Sequence, residues 1–303
     1  MKPDQTGLQP YQLNLAETCA FLEKVLHQQV QPKAMEWLHQ QQKKIKEDGS
    51  KLFLSFSLAS RFFDSESLHL APEQVTEAEA LRIGFMPQYW TQLQLARTLL
   101  LLELSELEEE TFIHSLTRLA ETADVAEQIA LYGALPVLPY PLALRKRAAE
   151  GIRTNITGVF DAIALHNPYP ADYLEEGAWN QMLLKAVFLS RPLYQIWGAD
   201  KRANPALAQM LLDFAHERWA AHRTVTPEIW RFVGPYLQKE NIREIEQLSK
   251  QGTPLEKKAV LLACAGSELP EAEKLLAGYP EEEQQIRSGE INWVSLGRQY
   301  AGE

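Results

Sequence analysis

The chain has 303 residues, of which 45 are Leu and 34 Ala against 24 Val plus Ile, and its formal net charge is −10. Leu and Ala cost little in a helix, whereas β-branched residues lose side-chain freedom there and suit strands. The balance therefore predicts an all-α chain and excludes a β-sandwich, a β-barrel or a Val/Ile-rich parallel sheet. The acidic balance gives no long-range attraction to phosphate backbones or anionic lipid, and no apolar run approaches the about 20 residues that span a bilayer, so neither a nucleic-acid partner nor a transmembrane segment is expected.

A helix is predicted at 13–29, where Leu15, Cys19, Leu22 and Leu26 share a face. A second follows at 32–47, opened by Pro32 and closed by Asp48-Gly49. Residues 51–63 allow two readings. Leu52, Leu54, Phe56 and Leu58 alternate as in a strand, while Leu54, Leu58 and Phe62 repeat every four positions; with no second strand to pair with, helix is the reading. Further helices are expected at 73–83, 91–104, 108–122, 124–134, 141–150 and 152–165, then, after a loop, at 173–190, 205–221, 227–237, 239–250, 254–266, 268–277, 279–288 and 293–300. The pairs 91–104/108–122, 124–134/141–150 and 239–250/254–266 read as antiparallel hairpins. Stacked hairpins give the fold expectation: an irregular α-solenoid, or α-α superhelix, of HEAT-like character. It is read as one all-helical domain over 1–303, with an N-terminal array at 1–150, a central signature region at 151–236 and C-terminal hairpins at 237–303. Cys19 and Cys264 lie far apart and suit reduced thiols in a cytoplasmic protein.

The central region has its own texture. His166-Asn167-Pro168-Tyr169-Pro170 leads to Trp179-Asn180-Gln181-Met182 and Leu184-Lys185-Ala186-Val187-Phe188. Gly198-Ala199-Asp200-Lys201-Arg202-Ala203-Asn204 follows, then Met210-Leu211-Leu212-Asp213-Phe214-Ala215-His216-Glu217-Arg218-Trp219, Pro227-Glu228-Ile229-Trp230-Arg231 and Val233-Gly234-Pro235. Together with the Leu95–Leu102 run and the 52–63 helix, this ordered series resembles the EboA family, over roughly 10–280 and most densely at 166–235. The resemblance implies an all-helical cytoplasmic protein of the bacterial ebo cluster. Its neighbours there look like a UbiA-type prenyltransferase, a TatD-like hydrolase, a dehydroquinate-synthase-like protein and a sugar-isomerase-like barrel. The resemblance further implies a part in secondary metabolism, in moving a metabolite precursor toward the periplasm. It carries over no catalytic residues.

The residues themselves suggest candidates. Asp213 and His216 stand three apart and Asp213 and Glu217 four apart on one predicted helix, a spacing that helical metal or catalytic sites use when Asp161, His166 or Asp200 completes them. The plainer reading is a buried ionic network in which Arg202, Arg218 or Lys185 answers the carboxylates. Lys185 lies in an apolar run, where it either snorkels to the surface or is buried with a lowered pKa against an anionic partner. Pro168 and Pro170 should hold Asn167 and Tyr169 extended, in a rigid loop that presents the His166 imidazole to a pocket or is simply packed down by Tyr169. Trp179, Trp197, Trp219 and Trp230 read as core, or as flat faces for a planar ligand. The candidate ligand-binding set is thus His166, Asn167, Trp179, Asn180, Lys185, Arg202, Asp213, His216 and Glu217. No nucleotide-binding glycine pattern, GxSxG, HExxH or CxxC is present, and neither a cofactor nor a metal is expected. The leading functional expectation is an accessory or scaffold protein that binds a partner enzyme of the same cluster, or the pathway's metabolite. The alternative is an enzyme, acid–base or metal-assisted, with an active site built from the central polar residues.

Overall fold

The structure is a computed structural model and describes residues 13–302. It divides into two compact units, 13–175 and 176–302. The division falls inside the segment that the sequence presents as one signature region.

Unit 1 holds ten helices: α1 (Leu15–His27), α2 (Pro32–Glu47), α3 (Lys51–Leu58), α4 (Pro72–Leu81), α5 (Gln92–Leu102), α6 (Glu109–Thr122), α7 (Val125–Gly133), α8 (Arg145–Ile152), α9 (Thr157–Ala164) and α10 (Tyr169–Tyr173). Unit 2 holds eight: α11 (Glu176–Phe188), α12 (Pro205–Ala220), α13 (Trp230–Val233), α14 (Lys239–Gln251), α15 (Pro254–Ala265), α16 (Pro270–Leu276), α17 (Pro280–Arg287) and α18 (Trp293–Ala301). The described residues contain no strand beyond one isolated antiparallel bridge, Ser67 to Thr91. No described helix is long and apolar enough to cross a membrane.

Local chemistry sets the helix starts. Asn14, Thr91, Asp124, Asn204, Thr253 and Asn292 each accept a backbone N–H of the helix they open. Pro32, Pro72, Pro205, Pro254, Pro270 and Pro280 occupy the first helical position, where a missing N–H costs nothing.

Helix α5 is the centre of unit 1. Every residue of it except Gln94 is buried, Gln92, Arg97 and Thr98 included. It packs against α1, α2, α3 and α7, α7 packs in turn on α9, and α9 on α8. Gly151 lets α8 approach, since a Cβ there would sit 2.6 Å from Ile163 Cδ1 and 2.7 Å from the Tyr132 ring. Arg97 of α5 is 2% exposed. Its Nε donates to Phe56 O at 3.0 Å, and its Nη2 lies 3.7 Å from Glu127 of α7, itself buried. In unit 2 the apolar stretch Ala259–Cys264 of α15 is entirely buried, against α13, α14, α16, α17 and α18. Gly234 permits the α13 side of this contact: a Cβ would lie 2.8 Å from Ala263 Cα.

Several expectations change. Residues 51–58 are helical as read, but the buried stripe is Leu52, Phe56, Ala59 and Phe63, while Leu54 is 64% exposed and Phe62 is also exposed. Of the three expected hairpins, α14/α15 packs as a pair; α5 takes α7 as its main partner, and α8 takes α9, because α5 is buried on nearly every side and gathers several neighbours. Tyr169 is not extended but begins α10. The steric push of Pro170 on its predecessor is outweighed by full burial of Tyr169, by its N–H bond to Asn167 Oδ1 at 3.0 Å, and by its hydroxyl donating to Pro141 O at 2.7 Å. The helix expected at 227–237 is three short pieces, a 3-10 turn at Pro227–Ile229, α13, and a 3-10 turn at Gly234–Tyr236.

Candidate functional site

Unit 1 has a half-open cavity of about 230 Å3 where α5, α7, α9 and the loop after α9 meet. Trp90, Gln94, Gly133, Gly158, Asp161 and His166 contribute to its lining. Its polar geometry follows from how α5 begins. Thr91 and Gln94 form a reciprocal cap: Gln94 N donates to Thr91 Oγ1 at 3.2 Å, and Thr91 N donates to Gln94 Oε1 at 2.7 Å. The cap occupies the carboxamide oxygen and leaves the Nε2 amide at the cavity. Trp90, one residue before the cap, is 8% exposed. The wall opposite is thin because α7 ends in glycine: a Cβ on Gly133 would lie 3.8 Å from Trp90 Nε1 and 4.0 Å from Gln94 Nε2. Neither of these N–H groups has a hydrogen-bond partner among the described residues.

The loop after α9 forms the rim. His166 has φ +52°, a left-handed conformation that costs a non-glycine residue about 1–3 kcal/mol and concentrates at ligand clamps and active sites. Asn167, 3% exposed, holds this turn: its Nδ2 donates to Ala162 O at 2.8 Å and to Tyr132 O at 3.3 Å, and its Oδ1 accepts from Tyr169 N. The His166 ring stacks on Tyr89 with centroids 3.4 Å apart and planes 9° from parallel. Tyr89 also lines the cavity and is 55% exposed, which places this flat pair at the mouth. A wider hollow of about 630 Å3 beside α1 and α4 is an open groove whose Lys24 and Glu77 already pair at 3.1 Å.

Of the residues singled out by sequence, Asp161, His166 and Asn167 are at this cavity; the rest of the candidate ligand-binding set belongs to unit 2. Trp179 is fully buried, with the Arg202 guanidinium 5.1 Å from its ring centroid. Asn180 is a clasp: it and Asn204 exchange side-chain hydrogen bonds at 3.1 and 2.8 Å, while Asn204 Oδ1 also caps α12 through Leu207 N. Lys185 is half-buried on α11, and burial holds its pKa below the ordinary lysine value. Asp213, His216 and Glu217 are exposed on α12. Asp213 accepts from Gln209 Nε2 at 2.8 Å, and His216 Nε2 lies 3.1 Å from Glu244 of α14. Arg218 does not answer these carboxylates but donates to Thr224 O. No group of three His, Cys, Asp or Glu suited to a metal comes together among the described residues.

The sequence reading missed Trp90, Gln94, Gly133 and Gly158. The Thr91-x-x-Gln94 cap was visible as a helix start, but which way its spare amide faces depends on α7 and α9. It also missed Glu228, which is 1% exposed. One of its oxygens accepts from Leu193 N at 3.1 Å, and the other is buried without a partner. Burial pushes its pKa up to about 7, against the opposing pull of the Leu193 and Tyr194 backbone bonds and Arg231.

The family model described as metabolite traffic protein EboA matches residues 18–234. This range runs from α1 to the end of α13, shorter than the 10–280 of the sequence resemblance, and leaves α14–α18 outside it. No curated protein and no solved structure matches the chain. The cavity, its rim and the α11–α13 segment all fall within the matched range, and on that match the chain belongs to the EboA family of metabolite traffic proteins.

Proposed function

We propose that the chain is a metabolite-binding accessory protein of a cytoplasmic secondary-metabolite pathway encoded by an ebo cluster, and that it acts without catalysis. The metabolite would sit in the α5/α7/α9 cavity. The observation that carries this reading is the convergence on that cavity of two hydrogen-bond donors with no protein partner and a strained, stacked rim. Concave sites with apolar walls and a few converging polar groups are the ordinary form of small-molecule sites, and the family description, metabolite traffic, agrees. Among the described residues, no Ser, Thr, Cys or Lys lines the cavity. The successive helix packing within each unit is consistent with an irregular helical array that could also present a face to a partner enzyme of the same cluster.

One feature favours the enzyme alternative: Asp161 and His166, a carboxylate and an imidazole, line the same cavity. A single comparison separates the readings. Protein purified from its native host is denatured and the released small molecules are profiled, for wild type and for Gly133→Met, whose side chain would extend past the Cβ position into the cavity. The proposal expects a compound enriched on wild type, lost from the variant and unchanged by prolonged incubation with wild type. Identical profiles from two folded proteins would refute the cavity as the site, and conversion of the compound would favour the enzyme.

A further inference from the structure

We propose that Trp90 and Gln94 make one wall of the cavity read hydrogen-bond polarity: it takes a compound of one or two rings that presents an acceptor there, a carbonyl oxygen or a ring nitrogen, and rejects one that presents a donor. This rests on the reading that the cavity is the metabolite site. An indole nitrogen only donates. A carboxamide can present either end, but the cap on α5 removes that choice. The backbone N–H of Thr91 must donate, and it meets Gln94 Oε1 at 2.7 Å; a flipped amide would set two donors against each other. Thr91 is thus a positioning residue, whose N–H fixes which end of Gln94 the cavity meets. Both polar groups at this wall are donors, and both nitrogens lie within 4.0 Å of the point where Gly133 lacks a Cβ. An acceptor placed beside Gly133 is within reach of both.

A ligand N–H at the same point would face two more N–H groups, and a desolvated donor without an acceptor costs far more than a made hydrogen bond contributes. Trp90 is only 8% exposed, so its N–H has little recourse to bulk solvent once a ring is seated. Sites built to pair a polar group of the ligand discriminate strongly on this ground. The selection is by hydrogen-bond polarity, with no part assigned to charge. Size and lining give the rest. The cavity of about 230 Å3 equals about eight water volumes at about 30 Å3 each, the size of one ring or two fused rings. Ile129, Ala162 and Leu165 supply apolar surface to it, and Gly133 and Gly158 add no side chain to the walls from α7 and α9.

The test uses the full chain labelled with 15N, with the protein's indole N–H signals followed during titration; loss of one signal in Trp90→Phe assigns Trp90. The probes are bicyclic and similar in size: 1-indanone and quinoline, which only accept; indole, which only donates; and indene, which does neither. The expected result is a saturable shift of the Trp90 signal by 1-indanone and quinoline, with indole and indene each binding at least about tenfold more weakly. Gln94→Glu is the informative variant, because glutamate keeps an oxygen for Thr91 N–H and turns the cavity-facing donor into an acceptor. It should weaken 1-indanone by at least about tenfold and bind indole more tightly than wild type does. A variant that merely loosened the fold would weaken both, so opposite movement of the two probes is the signature. Indole matching 1-indanone on wild type, or the two moving together in Gln94→Glu, would overturn the proposal, as would four probes that all leave the Trp90 signal unmoved. The cavity reading is decided separately by the native-host profiles: it stands if wild type and Gly133→Met differ and falls if they agree.

Discussion

Glu228 gives the stability of this chain a pH dependence opposite to that of most carboxylates. Unfolded, its carboxyl ionises near 4.5; folded, burial holds the proton to about 7. Across that interval the folded state binds a proton that the unfolded state has released, so the free energy of unfolding falls as pH rises. The contribution is complete below 4.5 and lost once pH has passed about 7. At about 1.4 kcal/mol per pH unit, the interval corresponds to about 3 kcal/mol. Glu228→Gln isolates the effect. The amide keeps an oxygen for Leu193 N–H, fits beside Gly297, where the partnerless Oε1 already lies 2.8 Å from a notional Cβ, and cannot ionise. Urea unfolding of both proteins from about pH 4 to about pH 8 supplies the assay, with the difference between them as the readout, because every other titrating group cancels. The stability of wild type relative to Glu228→Gln should fall by about 3 kcal/mol over that range, most steeply between about 5 and 7. A flat difference curve would show that Glu228 ionises in the folded protein at its ordinary pH, and would refute the burial argument.

Arg97→Leu leaves Glu127 buried without its cation and should cost about 3–5 kcal/mol in urea unfolding; a double variant with Glu127→Gln should recover part of that loss in a mutant cycle. Gly151→Ala drives a methyl to within 2.7 Å of the Tyr132 ring and should destabilise by about 1–3 kcal/mol, read as a lowered Tm. Gly133→Ala meets nothing closer than 3.8 Å and should be neutral or stabilising by up to about 1 kcal/mol. Asp213→Ala and Glu217→Ala, on the exposed face of α12, should each change stability by less than about 0.5 kcal/mol in the same assay.

The helical class was legible because it is local: a Leu/Ala-rich composition, Thr or Asn caps and Pro at first positions each act within a few residues. Which face of a helix is buried was less so. In α3 both Leu52/Phe56 and Leu54/Leu58 repeat every four positions, and only the approach of α5 and α2 decides that the first is inside. Partner choice was not legible either, since α5 is buried on nearly every side and accepts several neighbours. The same holds at the site. Polar and aromatic density drew attention to α11 and α12, where Asn180 clasps Asn204 and the α12 acids face outward. Gln94 and Gly133 lie in ordinary helical context and Trp90 just before α5, and their meaning comes from three helices meeting around an omitted side chain. From the sequence, His166-Asn167 pointed there as a loop whose imidazole could reach a pocket, and Asp161 was named as a further ligand for a site on α12.

The most direct test is native mass spectrometry of three chains purified from the same host: wild type, Gly133→Met and Asp213→Ala. A metabolite-binding cavity in unit 1 predicts a small-molecule adduct on wild type and Asp213→Ala and none on Gly133→Met. An adduct kept by Gly133→Met and lost from Asp213→Ala would contradict it and move the site to α12.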